Sequence, residues 1–283
     1  MWELQGKPVV NALTEKINLD IEHLKQKGIF PKLVIVRVGE QEEDLAYERG
    51  IIKKFLAVQA MAEVVALPID CSQTRLENTI VNLNKDRNVH GILLFRPLPK
   101  HLSAEPIKSL ISPEKDVDCM GINNLAAVFS GAKNIYPPCT PQAVVELLEH
   151  YQINITGKKV IIIGRSMVVG KPLSMLLLDR NATVTICHTK TLNLANECHK
   201  ADILIAGAGV PKIVTENFVN SEQIVVDVGI NMVNGKLCGD VDYAAVANKV
   251  KAVTPVPGGV GTVTTTVLLK HTVQSGIYHS RLL

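Results

Sequence analysis

The sequence predicts an α/β protein of two domains, each built on a parallel sheet, and three observations predict it. Apolar, β-branched segments alternate with segments of helical period along the chain. The apolar segments are near-continuous rather than alternating, as in strands buried on both faces. The alternation stops near residue 112 and restarts near residue 158, on either side of a proline-rich stretch. At 283 residues the chain has room for two such units.

The elements follow in order. Residues 11–28, NALTEKINLDIEHLKQKG, have helical period and stop at Gly28. KLVIVRVG is a buried strand closed by Gly39. A helix follows and contains residues 46–58, AYERGIIKKFLAV. AEVVALPI is a strand and TRLENTIVNLNKD a helix. VHGILLFRPLP is a strand ended by Pro97 and Pro99, which cannot continue a ladder. The break runs through SPEKDVDCMGINN into YPPCTPQAVVELLEHY, a helix with Thr140 as N-cap and Pro141 as first residue. In the second part KKVIIIG, TVTICH, DILIAGAG and QIVVDVG read as strands. GKPLSMLLLDR and ANECHKA read as helices among them, and TPVPGGVGTVTTTVLLKHTVQSG as a glycine-rich loop entering a last helix. The expected domains are residues 1–140 with 265–283, and residues 141–264.

Composition excludes several classes. The net charge of +3 is small and dispersed, and no basic run interleaves with aromatics, so nucleic acid is not an expected partner. MWELQGKPVVNALTEKINLD lacks the basic start and apolar core of a signal peptide. No apolar stretch approaches the roughly 20 residues of a membrane span, so the expected location is the cytoplasm. Six cysteines stand at 71, 119, 139, 187, 198 and 238 without a CxxC pair, as free thiols of an intracellular protein do. Cys187–His188 and Cys198–His199 are neighbours, but adjacent strand residues point to opposite faces, so no metal site is expected.

VIIIGRSMVVGKPLSMLL reads as strand, glycine turn and helix. Gly164 permits the tight turn and Gly170 lets the helix start close to its neighbours, where free N–H groups favour a phosphate. The spacing is G-x-S-x-x-x-G rather than G-x-G-x-x-G, and Ser166 stands at the second glycine's place. In folds that bind NAD, an acidic residue near the end of the next strand holds the ribose 2′-hydroxyl. Here that strand ends in His188, Thr189 and Lys190, with no carboxylate, and Arg165 lies in the first turn. A carboxylate would repel a 2′-phosphate, whereas arginine and hydroxyl groups would hold it, so NADP is the expected cofactor.

Four segments taken together, KDVDCMGINN, PPCTPQAVVELL, GRSMVVGKPLSMLLLDRNATVTICH and TPVPGGVGTVT, resemble the methylenetetrahydrofolate dehydrogenase/cyclohydrolase family. The likeness runs from Gly6–Lys7 to the last helix. It implies an N-terminal domain and a Rossmann-like NADP-binding domain with a cleft between them, the last helix returning to the first domain, and a homodimer. It implies oxidation of 5,10-methylenetetrahydrofolate by NADP, then hydrolysis of the methenyl cation to 10-formyltetrahydrofolate. In the family a tyrosine, a lysine four residues later, a glutamine in VQLPLP and the second aspartate of KDVDG line the folate site.

Carried over, the tyrosine is Tyr47 and the aspartate Asp118. The family's PGGVGP loop is Pro257, Gly258, Gly259, Val260 and Gly261, followed by Thr262 where the family has proline, which implies a looser loop. The resemblance also assigns Thr264 to the substrate and Ile230 to the cofactor. Two positions depart: Ile51 stands for the lysine and Phe95 for the glutamine, with Arg96 next where the family has leucine. Cys119 and Ala143 replace two further glycines. Isoleucine cannot accept a proton and phenylalanine cannot bond an amine or a carbonyl, so the hydrolytic site as the family builds it is absent. On a helical wheel Ile51 lies about 40° from Tyr47; Lys54 lies within about 20° but about 10 Å further along the axis. Lys53 points away, and both lysines read as exposed charges. Lys54 and Arg96 are the candidates for a substitute base, although Arg96 alternates with Phe95 across the strand and stays protonated. Hydride transfer needs only reactants held face to face and a stabilised cation, so the expected function is a dehydrogenase with weak or absent hydrolysis. The alternatives are full bifunctionality through a rearranged base, a paralogue that binds folate or nucleotide without turnover, or an NADP oxidoreductase with another substrate.

Overall fold

A computed structural model describes residues 1–132 and 136–281. The chain divides into two compact units: Met1–Asn11 with Thr140–Thr264, and Ala12–Cys139 with Thr265–Leu283. Numbered along the chain, β1 (Trp2–Glu3) precedes α1 (Gly6–Gln26). Then come β2 (Lys32–Val38), α2 (Glu42–Ala57), β3 (Met61–Leu67), α3 (Gln73–Lys85) and β4 (Gly91–Leu94). Short helices α4 (Glu105–Leu110) and α5 (Ile122–Phe129) lead to α6 (Cys139–His150).

The sheet of this unit has the order β3-β2-β4, all parallel. β2 is its middle strand and is buried from Leu33 to Val38, which explains the unbroken apolar run. Its core joins Val34, Val36, Ile92 and Leu94 of the strands to Leu76 and Ile80 of α3 and Ile107 of α4. α3 is capped by Ser72, whose hydroxyl accepts the N–H of Arg75.

The other unit carries β5 (Lys159–Ile163), α7 (Gly170–Leu178), β6 (Thr183–Cys187), α8 (Leu194–His199), β7 (Ile203–Ala206) and β8 (Ile224–Asp227). β9 (Asn231–Val233) and β10 (Lys236–Cys238) form an antiparallel hairpin whose turn residues, Asn234 and Gly235, both have positive φ. α9 (Tyr243–Val246), β11 (Ala252–Val253) and α10 (Val260–Ser280) complete the chain. The six-stranded sheet runs β1-β11-β8-β7-β5-β6, parallel throughout.

The first eleven residues depart from the expected division. They join the second unit because β1 extends its sheet, pairing Trp2 with Ala252 and Glu3 with Val253. The Gly6 N–H then donates to the Gly258 carbonyl at 2.7 Å, and the Tyr243 hydroxyl bonds Glu3. A two-residue strand is too short to show a period.

Candidate active site

In the three-stranded sheet the chain leaves β2 to one side for β3 and to the other for β4. The carboxyl ends of β2 and β4, beside this reversal of order, are the usual place for a ligand in an open parallel sheet. Tyr47 of α2 and Phe95, just past β4, meet there: their rings stack with centroids 5.6 Å apart and planes 27° from parallel. Tyr47 keeps 43% of its surface exposed and Phe95 only 6%. Partial burial, then the Asp118 carboxylate, pushes the Tyr47 hydroxyl above the ordinary tyrosine range, and Thr265 hydrogen-bonds it.

Asp118 is placed by the residues before it. Lys115, 2% exposed, donates to the carbonyls of Leu83, Asn84 and Asp86 at 2.7–3.0 Å and so fastens the segment to the end of α3. Asp116 accepts the N–H groups of Met120 and Gly121 and the Asn124 amide, and so fastens it to the start of α5. Burial pushes the Asp116 carboxyl up to about 6. Asp118, just past the two clamps, accepts the Cys139 N–H at 3.3 Å. Burial raises its pKa, against the Cys139 hydrogen bonds and the charge of Arg96. Cys119 takes the left-handed φ of 56°, the conformation for which the related glycine is suited.

The structure corrects the expectation for Lys54 and adds detail to those for Ile51 and Arg96. Ile51 shares the Tyr47 face of α2 but is fully buried, so that face dips into the core past the tyrosine. Lys53 is exposed, but Lys54 is not simply a solvated charge: it is half-buried and its ammonium donates to the Thr266 hydroxyl. Burial lowers its pKa. Thr265 and Thr266 are consecutive, so the amine and the Tyr47 hydroxyl engage the same turn of α10. The i, i+7 spacing from Tyr47 to Lys54 carried that signal; the Cys139 contact to Asp118 had none. Arg96 is exposed, yet its charge is felt at Asp118.

In the six-stranded sheet the order reverses at β5, with β6 on one side and β7 on the other. A cavity of about 230 Å³ opens beyond their ends, lined by Gly164, Arg165, Ser166, His188 and Thr189 with Gly207 and Ala208. Gly164 has φ +125°, and a Cβ there would lie 2.2 Å from the Gly207 carbonyl oxygen. A Cβ on Gly170 would lie 2.0 Å from the Gly164 carbonyl oxygen, so α7 starts against the turn. The Ser166 hydroxyl accepts the Val169 N–H at 3.0 Å and shapes that turn. His188 Nδ1 accepts the Lys190 N–H at 3.1 Å. Gly170→Ala is expected to push the turn outward and weaken NADPH binding about tenfold or more, read by fluorescence titration.

A second cavity in this unit, about 250 Å³, is lined by Gly229, Ile230, Leu237, Pro257, Gly258 and Gly261 among others. In the loop here the Thr262 N–H donates to the Gly259 carbonyl at 3.1 Å, a bond proline could not make. Gly6 is packed so closely that a Cβ would lie 2.3 Å from the Gly259 oxygen. The Thr264 hydroxyl donates to the Val260 carbonyl at 3.3 Å.

Known proteins bear on these sites. Residues 4–118 match the tetrahydrofolate dehydrogenase/cyclohydrolase catalytic domain, and residues 138–280 match the NAD(P)-binding domain of the same family. A bifunctional protein FolD of Clostridioides difficile is 52% identical over 273 residues, covering 96% of this chain and 95% of that protein. The crystal structure of a bifunctional methylenetetrahydrofolate dehydrogenase/cyclohydrolase from Campylobacter jejuni superposes with TM-score 0.96 at 37% identity, covering 98% of this chain and 99% of that one. A Trypanosoma brucei dehydrogenase-cyclohydrolase, solved with NADP and an inhibitor, has TM-score 0.91 at 32% identity, covering 98% and 97%. The two matched domains span both units, and on that ground the chain belongs to the tetrahydrofolate dehydrogenase/cyclohydrolase family.

Proposed function

We propose that this protein oxidises 5,10-methylenetetrahydrofolate with NADP and that its cyclohydrolase step is weak or lost. The observation that carries the second half is the pairing of Phe95 on Tyr47 above a fully buried Ile51, which leaves neither position an amine or an amide. Bound NADP supplies the hydride acceptor. The residues around the first cavity of the six-stranded unit fit it: a close-packed glycine turn for the diphosphate, an exposed Arg165, and no carboxylate after β6 to repel a 2′-phosphate. The second cavity, with Ile230 and the Pro257–Gly261 loop, suits the nicotinamide end and the folate approaching it.

The methylene carbon loses hydride with its electron pair, and the positive charge left behind spreads over the two flanking nitrogens. No proton moves in that step. Asp118 accepts hydrogen bonds from the amino-pyrimidine edge of the folate and holds it in register. Tyr47 offers an aromatic face backed by Phe95. The resemblance also supports a homodimer that takes tetrahydrofolate derivatives, and the small, dispersed charge and lack of a long apolar stretch support a cytoplasmic protein without a nucleic-acid partner. The test is NADPH formation from methylenetetrahydrofolate, with NADP compared against NAD. No turnover at saturating folate would overturn the reading in favour of a binding protein.

One observation favours full bifunctionality as a second reading, namely the placement of Lys54. A half-buried amine with a lowered pKa carries more of its neutral form and can take a proton from water as the oxygen attacks the methenyl carbon. Lys54→Met separates the readings. On the first, it leaves hydride transfer and the slow methenyl decay unchanged. On the second, it abolishes accelerated decay, whose pH profile in the wild type would rise through an inflection below 10.5, the ordinary lysine value.

A further inference from the structure

Two buried aspartates have no role in the reading above: Asp227 stands in the wall of the second cavity, and Asp240 lines neither cavity. Asp227 ends β8 and is 3% exposed; Asp240 follows the β9–β10 hairpin and is fully buried. Asp227 Oδ1 accepts the N–H groups of Gly229 at 2.9 Å and Asp240 at 3.0 Å, and its Oδ2 accepts that of Val241 at 2.9 Å. Asp240 Oδ2 accepts the N–H groups of Ala208 at 2.6 Å and Gly209 at 2.8 Å, and its Oδ1 accepts the Asn231 amide at 2.9 Å. A Cβ on Gly239 would lie 1.9 Å from Asp227 Oδ2, and one on Gly229 would lie 2.2 Å from Asp240 Oδ1. The carboxylates and glycines therefore interlock with no room to shift.

The ties join three loops, two of which form cavity walls. Ala208 lines the first cavity, and Gly229 with its neighbour Ile230 lines the second. The loop after β10 sits between them, held on the other side by the Val214 N–H, which donates to the Asp240 carbonyl at 3.0 Å. Two buried carboxylates near one another are costly, and a fold that needed only stability would fill this space with apolar side chains. What the pair supplies is a fixed distance between the wall at Ala208 and the wall at Ile230.

We propose that Asp240, braced by Asp227, is a positioning residue that sets the two walls at the spacing an extended dinucleotide requires. This rests on the reading of the two cavities as the NADP site. Asp240 acts through the backbone N–H groups of Ala208 and Gly209 and through Asn231. Removing it lets the walls relax independently, so a ligand bridging both loses affinity.

The test is NADPH binding by fluorescence titration and steady-state kinetics on the full chain. Asp240→Ala is expected to raise the Kd for NADPH and the KM for NADP about 10- to 100-fold, with a smaller change in the KM for the folate. Asp240→Asn is expected to recover most of the affinity. Its amide oxygen can accept the Ala208 and Gly209 N–H groups, and Asn231 can turn to present its own oxygen to the new amide. Gln223→Ala supplies the stability control: Gln223 is fully buried and bonds the Cys198 carbonyl, and it lines neither cavity. It is expected to lower the unfolding midpoint and leave the Kd unchanged. Asp240→Ala protein with wild-type affinity, or Gln223→Ala protein weakened as much as Asp240→Ala, would overturn the inference alone. Wild-type protein that binds no NADPH would overturn the cofactor reading on which it rests.

Discussion

Asp118→Asn is expected to lower kcat/KM for methylenetetrahydrofolate by about 100-fold or more while leaving NADPH binding unchanged. The carboxylate follows two clamps, Lys115 on the end of α3 and Asp116 on the start of α5, and both survive the substitution. The amide oxygen can still accept the Cys139 N–H. The fold around position 118 therefore persists, and the loss falls on recognition. An amide presents an NH2 donor where the pterin edge offers only donors, so one of the two hydrogen bonds to the folate is lost. Unfolding midpoints and NADPH titration alongside the kinetics isolate that effect. Wild-type turnover by Asp118→Asn would remove Asp118 from the site.

Ile51→Lys is expected to destabilise the protein by about 3 kcal/mol or more rather than to install hydrolysis. Ile51 and Phe55, one turn on, are both fully buried. A lysine at 51 would give up the packing of the isoleucine and place an amine among apolar groups. It would have to leave the core along its stem or stay neutral at a large cost. Ile51→Met, close in volume and without charge, is expected to cost less than about 1.5 kcal/mol and serves as the control. Urea midpoints compare the two. Adding Phe95→Gln to Ile51→Lys opens space beside Tyr47 and is expected to return part of the loss, because Phe95 packs on the tyrosine from the β4 side. An Ile51→Lys protein as stable as the wild type would mean that position 51 faces the site after all.

The fold was legible because its central strands are buried on both faces and so write themselves as apolar runs, as β2 and β5 do. The tight turn after β5 was legible from Gly164 and Gly170, whose close approaches leave no room for a Cβ. What escaped has tertiary causes. β1 and β11 have two residues each and exist only as partners of one another and of β8. The helical wheel placed Ile51 beside Tyr47 correctly in angle, but angle does not give depth, and depth is set by what the helix lies on. Lys54 turned out half-buried because a threonine 212 positions later in the chain meets it. Asp227 and Asp240 look like ordinary polar residues in sequence, and their meaning lies in backbone N–H groups supplied by loops that no local pattern connects.

The proposed loss of hydrolysis, with hydride transfer retained, follows from Ile51 and Phe95 in the places of an amine and an amide. It is tested most directly by following the decay of the methenyl chromophore with and without enzyme, on a preparation that forms NADPH from methylenetetrahydrofolate. The expected result is decay at or near the uncatalysed rate while NADPH formation proceeds. Decay accelerated to keep pace with NADPH formation would contradict it.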